Sequence, residues 1–527
     1  MALWLVIAAT VCWLCIAPFA IYLYDAKRLR QYPNQNFLSG LTSLAYVYER
    51  RRTFRTRDLL AQHKKHTILR TAPSAISFGS VDAIKDIYGH GSRCLKSDEY
   101  NLIQGDSAHV LNVIDRDDHT RKRRMLSNAF ATKNLETWEF KIADKVRKMV
   151  TQFDRRCTDP LIRDDVSRAS AEDFSVNFRL WSNLFTFDAI ADIALSERLG
   201  FLDTGSDLIE LEPHEGNSLK KLDMIKSLQC GPRTISRFVN ATDWFHGLKI
   251  LAKILSPTFR AHGGDFGDIV NTLARRRLAK SQDNENNKLD DFLTCLIEDK
   301  KGNHRGLNFK EIEAETSVLL DAGSDTTAIA LTNVLYYLIK HPNTLASLRD
   351  EVASALNEGE EIAPYVKVKS LPYLKACLDE SLRLSPPVPR GLERKTPPEG
   401  LEIMGHKIAG NVTVSVPAYV AHRDHDLFPN PEAYNPDRWL DAPPELSKDM
   451  RAAWIPFTAG ARACLGRNIT MMEQQILIAT LVHRYEFALP SANWEMEWEE
   501  AFNMWPAQMP LKIWRRDASE MQQNRST

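Results

Sequence analysis

The chain has 527 residues, and its 68 lysines and arginines balance its 68 aspartates and glutamates. A neutral chain with only short basic runs, at residues 50–52 and 121–124, offers no surface to a polyanion, which excludes nucleic acid as an expected partner. Eight scattered cysteines form no disulfide framework and suit a reducing compartment.

Residues 3–24 contain no charged side chain. As a helix they span about 33 Å, enough for a hydrocarbon core of about 30 Å. Lys27, Arg28 and Arg30 follow at once and no charge precedes, which predicts an uncleaved anchor whose basic flank stays in the cytosol. A cleaved signal peptide would carry its positive residues ahead of the apolar run. Residues 25–45 then read as a basic hinge and residues 46–527 as one large domain, because no composition break, repeat or low-complexity run divides them. Sequons at Asn240, Asn411, Asn468 and Asn524 would face the cytosol and stay unmodified.

Further along, Asp118-His119-Thr120-Arg121-Lys122-Arg123 places His119 and Arg123 one helical turn apart, able to point at one anionic group. Asn308 and Glu311 have the spacing of a capping box, and His341-Pro342 ends the unusually long helix they start. Inside it lies Ala322-Gly323-Ser324-Asp325-Thr326-Thr327. Leu319, Gly323, Thr326 and Ala330 share a face, and the small residues leave room for something bulky against the backbone. Pro372 opens another helix and Pro386-Pro387 stops it. Within that helix Glu380 and Arg383 share a face. Residues 410–416 read as a short β-run.

The stretch Pro456-Phe457-Thr458-Ala459-Gly460-Ala461-Arg462-Ala463-Cys464-Leu465-Gly466 concentrates the chemistry. Gly460 and Gly466 permit a tight turn or a close approach of the backbone. The apolar run from Ile469 to Leu477 predicts a helix starting just after Cys464. Its first amides and partial positive charge favour the thiolate form of that cysteine.

Phe457, Gly460, Arg462, Cys464 and Gly466 fill the pattern F-x-x-G-x-R-x-C-x-G, and here the chain resembles the cytochrome P-450 superfamily, fungal microsomal members in particular. Residues 322–327 are similar to the family's A-G-x-[DE]-T-T. Glu380 and Arg383 match its E-x-x-R, and Asn435-Pro436-Asp437-Arg438-Trp439 matches the segment that supplies a second arginine. The resemblance runs from about residue 40 to 515, with its motifs in the expected order. The Pro-rich hinge usual after the anchor is reduced to Tyr32-Pro33-Asn34.

The resemblance implies a mostly α fold (α+β) with a long central helix and small β-sheets. It implies haem b (iron protoporphyrin IX), with Cys464 as the thiolate ligand of the iron and Phe457, Gly460 and Gly466 around it. Arg462, Arg123, His119 and Arg394 become partners of the propionates. Thr326 and Asp325 become the groups that handle oxygen and its protons, and Glu380, Arg383 and Arg438 a buried structural network.

The implied activity is a monooxygenase that inserts one oxygen atom from O2 into a small hydrophobic organic substrate, in fungal secondary metabolite biosynthesis. Electrons would come from an NADPH-dependent cytochrome P-450 reductase at the endoplasmic reticulum membrane, since no strand followed by G-x-G-x-x-G provides a nicotinamide site. Other readings are an isomerase or dehydratase of the same fold needing no electron donor, hydroxylation of a simple aromatic acid in catabolism, and a non-catalytic haem protein. The intact Asp325-Thr326 pair argues against the first and the last. The stretch from Tyr88 to Tyr100 looks like fungal members near the benzoate hydroxylases. The regions expected to set specificity, about 94–118, about 200–250 and Val388-Pro389, carry no readable code.

Overall fold

The computed structural model describes residues 4, 16–50, 53–162, 166–211, 220–283, 289–299, 301–357 and 359–516. Of the predicted anchor, residues 3 and 5–15 lie outside the described residues, while residues 16–24 are helical. Among the described residues no helix is long and apolar enough to cross a membrane.

The elements that build the site begin with helices α1 (Ala45–Glu49) and α2 (Arg55–His63), then strands β1 (Ile68–Ala72), β2 (Ala75–Phe78) and β3 (Leu95–Lys96). Helices α3 (Glu99–Leu102), α4 (Arg116–Ser127) and α5 (Glu139–Asp154) follow. Next come β4 (Val176–Asn177), α6 (Phe178–Leu195), α7 (Met224–Ile235), α8 (Phe245–Leu255) and the long α9 (Phe309–Lys340). After α10 (Pro372–Leu384) lie β5 (Arg394–Lys395), β6 (Thr413–Ser415), α11 (Arg438–Asp441) and α12 (Arg467–Arg484). The chain closes with β7 (Tyr485–Ala488), β8 (Trp498–Glu500), β9 (Met504–Pro506) and β10 (Pro510–Arg515).

Helix α6 explains why a chain of mixed composition folds around one interior. Phe178, Leu184, Phe185, Phe187 and Ile190 on different sides of it are all buried, the mark of a core helix with no polar face. Against it lies α9, whose 32 residues extend about 48 Å. The side chain of Asn308 accepts the N–H of Glu311 (2.9 Å), as the cap pattern predicts. The reciprocal half is not made: Glu311 turns instead to Lys122 (2.8 Å) and Arg121, because two cations on α4 outcompete one backbone N–H.

The main sheet runs β1-β2-β6-β5-β3. β6 lies parallel to β2, with Thr413 opposite Ala75, and antiparallel to β5, with Val414 opposite Arg394. β3 closes the edge with Lys96 opposite Arg394. At the other end the expected hinge is part of the fold. The Asp25 carboxylate accepts the N–H groups of Leu29 (2.8 Å) and Arg30 (3.1 Å). Leu29 and Tyr32 are buried in the apolar cluster under the sheet. Pro33 and Gln35 exchange backbone hydrogen bonds with Arg70 on β1, each 2.8 Å. Residues 25–45 are thus no free linker: they satisfy the outer edge of β1 and bury two large side chains, which a solvated hinge would forgo.

Candidate active site

The cysteine loop closes on itself where the N–H of Cys464 donates to the carbonyl of Phe457 (3.0 Å). Thr458 (φ 52°) and Gly460 (φ 68°) both lie in the left-handed region. A Cβ on Gly460 would stand 2.0 Å from the Tyr88 carbonyl oxygen, so the loop can seat on Tyr88–Gly89 only with glycine there. Gly466 caps α12, and a Cβ on it would meet the sulfur of Cys464 at 3.8 Å. The ring of Phe457 packs edge-on to Trp454, and Arg467 covers both. Cys464 is accessible on one side. Burial on the others raises its thiol above the ordinary range, against the pull of the Gly466 and Arg467 N–H groups and of Arg123. Among the described residues no group of three His, Cys, Asp or Glu side chains could hold a metal ion. Iron bound by Cys464 would need its remaining ligands from elsewhere, as a porphyrin provides.

A second feature fits that cofactor. Lys96 and Arg394 are both buried and stand directly opposite each other across β3 and β5, a placement that like charges disfavour. Lys96 donates to the carbonyls of Val110 (3.2 Å), Leu111 (2.5 Å) and Val113 (3.3 Å). Arg462 donates to those of Val113 (3.1 Å) and Ile114 (2.9 Å). Arg123 reaches the carbonyl of Ala463 (2.7 Å), beside the cysteine.

Burial, then Arg462 and Arg394, push Lys96 down to about 6. Burial, then Arg394, bring Arg462 to about 10. Burial, then Arg462 and Lys96, hold the His119 ring down at about 3, so it is neutral at physiological pH. No ion pair joins Lys96, Arg123, Arg394 or Arg462 to a carboxylate among the described residues. Basic groups crowded together without an anion, so that Lys96 tends to give up its proton, are what the two propionates of a haem would relieve. Sequence reading missed Lys96, since only the strand register brings it beside Arg394.

Below the loop, Glu380 and Arg383 are fully buried and doubly bonded, Nε to Oε2 at 2.9 Å and Nη2 to Oε1 at 2.8 Å. Arg438 (3.0 Å), the Asn435 N–H (3.0 Å) and the Trp439 indole (2.9 Å) complete the carboxylate's shell. Arg383 then spans to the carbonyls of His422 (2.9 Å) and Pro431 (2.7 Å). His422 carries the connection onward. Its Nε2 accepts the Ile455 N–H (2.9 Å), so Nδ1 bears the proton and donates to the Arg383 carbonyl (3.1 Å). Burial and the adjacent Arg383 hold this ring down at about 3, neutral as both bonds require. No sequence motif announced His422.

On α9 the hydroxyl of Thr326 donates to the Ala322 carbonyl (2.8 Å), leaving its lone pairs facing outward. A Cβ on Gly323 would lie 2.8 Å from Ile190. The room at Gly323 is therefore taken by α6, whereas the shared-face reading expected it to join Thr326 in admitting something bulky. Asp325 is only 1% exposed. It accepts from Arg179 (2.9 Å), Gln229 (3.2 Å), Asn503 (2.8 Å) and the Trp505 indole, which ties α9 to α6, α7 and the β8–β9 hairpin. One turn earlier stands Asp321, which burial and then Asp325 push up to about 7. It titrates near neutrality, beside a carboxylate already committed to an arginine.

Residues 74–508 match the family model described as Cytochrome P-450. The chain is 30% identical over 489 residues to a benzoate 4-monooxygenase of Aspergillus niger, spanning 91% of this chain and 92% of that one. It is 26% identical over 492 residues to a cytochrome P-450 monooxygenase of Penicillium oxalicum, 91% and 90% of the two chains. With one from Emericella nidulans it shares 26% over 515 residues, 94% and 95%.

Proposed function

Because the chain belongs to the cytochrome P-450 family, we propose that Cys464 is the axial thiolate of its haem and that its substrate is a small hydrophobic organic molecule. The enzyme is a monooxygenase, working with O2, a substrate and a redox partner on a haem held through cysteine thiolate. One juxtaposition carries the assignment: an accessible Cys464 at the start of α12, beside four basic side chains, Lys96, Arg123, Arg394 and Arg462, that no carboxylate pairs among the described residues. Lys96, Arg123, Arg394 and Arg462 would hold the propionates, with His119 offering a neutral N–H. Bound there, haem supplies the oxygen chemistry, and an electron-rich thiolate favours O–O cleavage.

The protein's own share is proton management. Thr326 Oγ can pass on its proton and regain one from water, while Asp325, held by Arg179, Gln229, Asn503 and Trp505, fixes the turn of α9 that carries it. Asp321, poised near 7, can give and take protons at working pH. Thr326→Ala tests this share. Alanine keeps the helix, since it is the better helix former, so haem content and spectra should match the parent. NADPH consumption should continue while product per NADPH falls several-fold and hydrogen peroxide appears. Coupling as tight as the parent's would make Thr326 a packing residue.

We further propose that residues 3–24 anchor the protein in the endoplasmic reticulum membrane, facing an NADPH-dependent cytochrome P-450 reductase, within fungal secondary metabolism. Supporting the anchor, residues 16–24 are helical and expose Ile16, Phe19, Ile21 and Leu23. Helix α8 exposes Ile250, Leu251, Ile254 and Leu255. Its root is fixed near α1 by the Ser43–Asp243 hydrogen bond (3.1 Å) and by Val47 packing on Phe245 and its neighbours. Two apolar surfaces are thus rooted in adjoining parts of the fold. Deleting residues 1–24 should move the protein out of the carbonate-resistant membrane fraction with haem still bound. Undiminished resistance to carbonate would refute the single N-terminal span.

A further inference from the structure

Close to α9 lies a second cluster of charge that haem binding does not use. Arg50 follows α1, Arg55 opens α2 and Arg390 lies in the turn after α10, and all three are buried, at 9%, 6% and 4% exposure. Arg50 donates through Nη1 to the Ala501 carbonyl (2.6 Å), while its Nε and Nη2 have no partner among the described residues. Arg390 reaches Glu99 at 3.5 Å and Glu393 at 3.6 Å through Nη2, and its Nη1 has no partner among the described residues; its guanidinium lies 5.7 Å from the centre of the Phe502 ring. Arg55 lies over the Tyr46 ring, and its Nε has no partner among the described residues. Unmet donors of charged groups are costly to bury.

Glu99, Glu393 and Glu500 face the three arginines. Burial, then the neighbouring Glu393, push the Glu99 carboxyl above its ordinary range. Glu500 accepts the backbone N–H of Thr56 (2.7 Å). Burial and then Arg390 and Arg55 push Arg50 down to about 9, whereas at Arg390 burial is outweighed by Glu99 and Glu393, which raise it.

The position points to the substrate. Ala501, which receives Arg50, packs with Trp505 against Ile329, three residues beyond Thr326 on α9. In the same turn Asn503 donates to Asp325, and the Met504 N–H donates to the Pro387 carbonyl (2.8 Å), just before Arg390. Arg390 itself is four residues ahead of Arg394 in the propionate cluster. The arginines therefore lie between the Ala501 turn, which packs on α9 at Ile329, and the segment that leads to the haem cations.

We propose that Arg50 and Arg390 form a carboxylate-binding subsite of the substrate pocket, so that the substrate is an organic acid held here while its apolar body extends toward Thr326. The assignment rests on the monooxygenase reading and adds the substrate's chemical class. Planar guanidinium forks match a carboxylate in two-point contact, and one carboxylate fills the unmet donors of both.

Binding difference spectra of the full-length ferric holoenzyme test it, with benzoate, cinnamate and decanoate, each against its methyl ester. At least one acid should bind tenfold or more tightly than its ester. R50Q and R390Q should each cut that preference below threefold by weakening the acid and leaving the ester unchanged, and R390K should restore part of it. Melting temperatures of the same proteins, with each acid against equal ionic strength of chloride, provide a readout independent of the haem spectrum. An ester that binds as tightly as its acid would overturn the subsite. So would arginine variants that weaken both alike, or the absence of any spectral or thermal response to all three acids. If these fail while the reduced carbon-monoxide spectrum and NADPH-dependent turnover stand, the carboxylate subsite falls and the monooxygenase reading survives. Loss of that spectrum from the parent protein would defeat both.

Discussion

Glu380→Ala should yield protein that does not retain haem. The carboxylate is fully buried and holds five donors: Arg383 twice, Arg438, Trp439 and the Asn435 N–H. Removing it strands two buried guanidinium groups, at a cost of about 3–5 kcal/mol, against a total stability on the order of 5–15 kcal/mol. The damage should fall on the cysteine side. Arg383 bonds the His422 carbonyl, and the His422 ring bonds Ile455 two residues before Phe457, so the loop that presents Cys464 loses its footing. Haem per polypeptide after purification, together with thermal melts followed by circular dichroism, measures the effect. Glu380→Gln keeps the volume and one acceptor and should fall between the two. Parent-like haem content in the alanine variant would show that Glu380 is dispensable to the haem side.

Sequence and structure agree where chemistry is local and part company where it is assembled. The loop of Phe457, Gly460, Arg462, Cys464 and Gly466 was legible because a tight turn, a thiol and a helix start must be neighbours in the chain. The long α9 was legible from its cap and its terminal His341-Pro342. Lys96 was not, because its significance comes from sitting opposite Arg394 in the sheet. Nor was His422, whose two bonds join segments that are distant in sequence. Asp325 could be picked from its motif, yet its pairing with Arg179 on α6 depends on how two helices pack. The packing of residues 25–45 was not legible for the same reason, since their bonds to Arg70 depend on where the edge of β1 lies. The cluster of Arg50, Glu99 and Arg390 is of this second kind too, since the three meet only in three dimensions.

Cys464→His is the other substitution with a large expected effect. The thiol sits at the entry to α12, where burial raises it and the Gly466 and Arg467 N–H groups and Arg123 pull the other way; iron bound to the sulfur would complete the shift to thiolate. An imidazole there would still coordinate iron, so haem can be retained. It lacks the charge and electron density of thiolate, so O–O cleavage loses its driving push and turnover should be abolished.

The spectrum of the reduced carbon-monoxide complex, taken on parent and Cys464→His protein side by side, tests the central assignment most directly. The parent should show the long-wavelength band from which the family takes its name, and the variant should hold haem yet lack that band entirely. Persistence of the band in Cys464→His would mean that a residue other than Cys464 binds the iron.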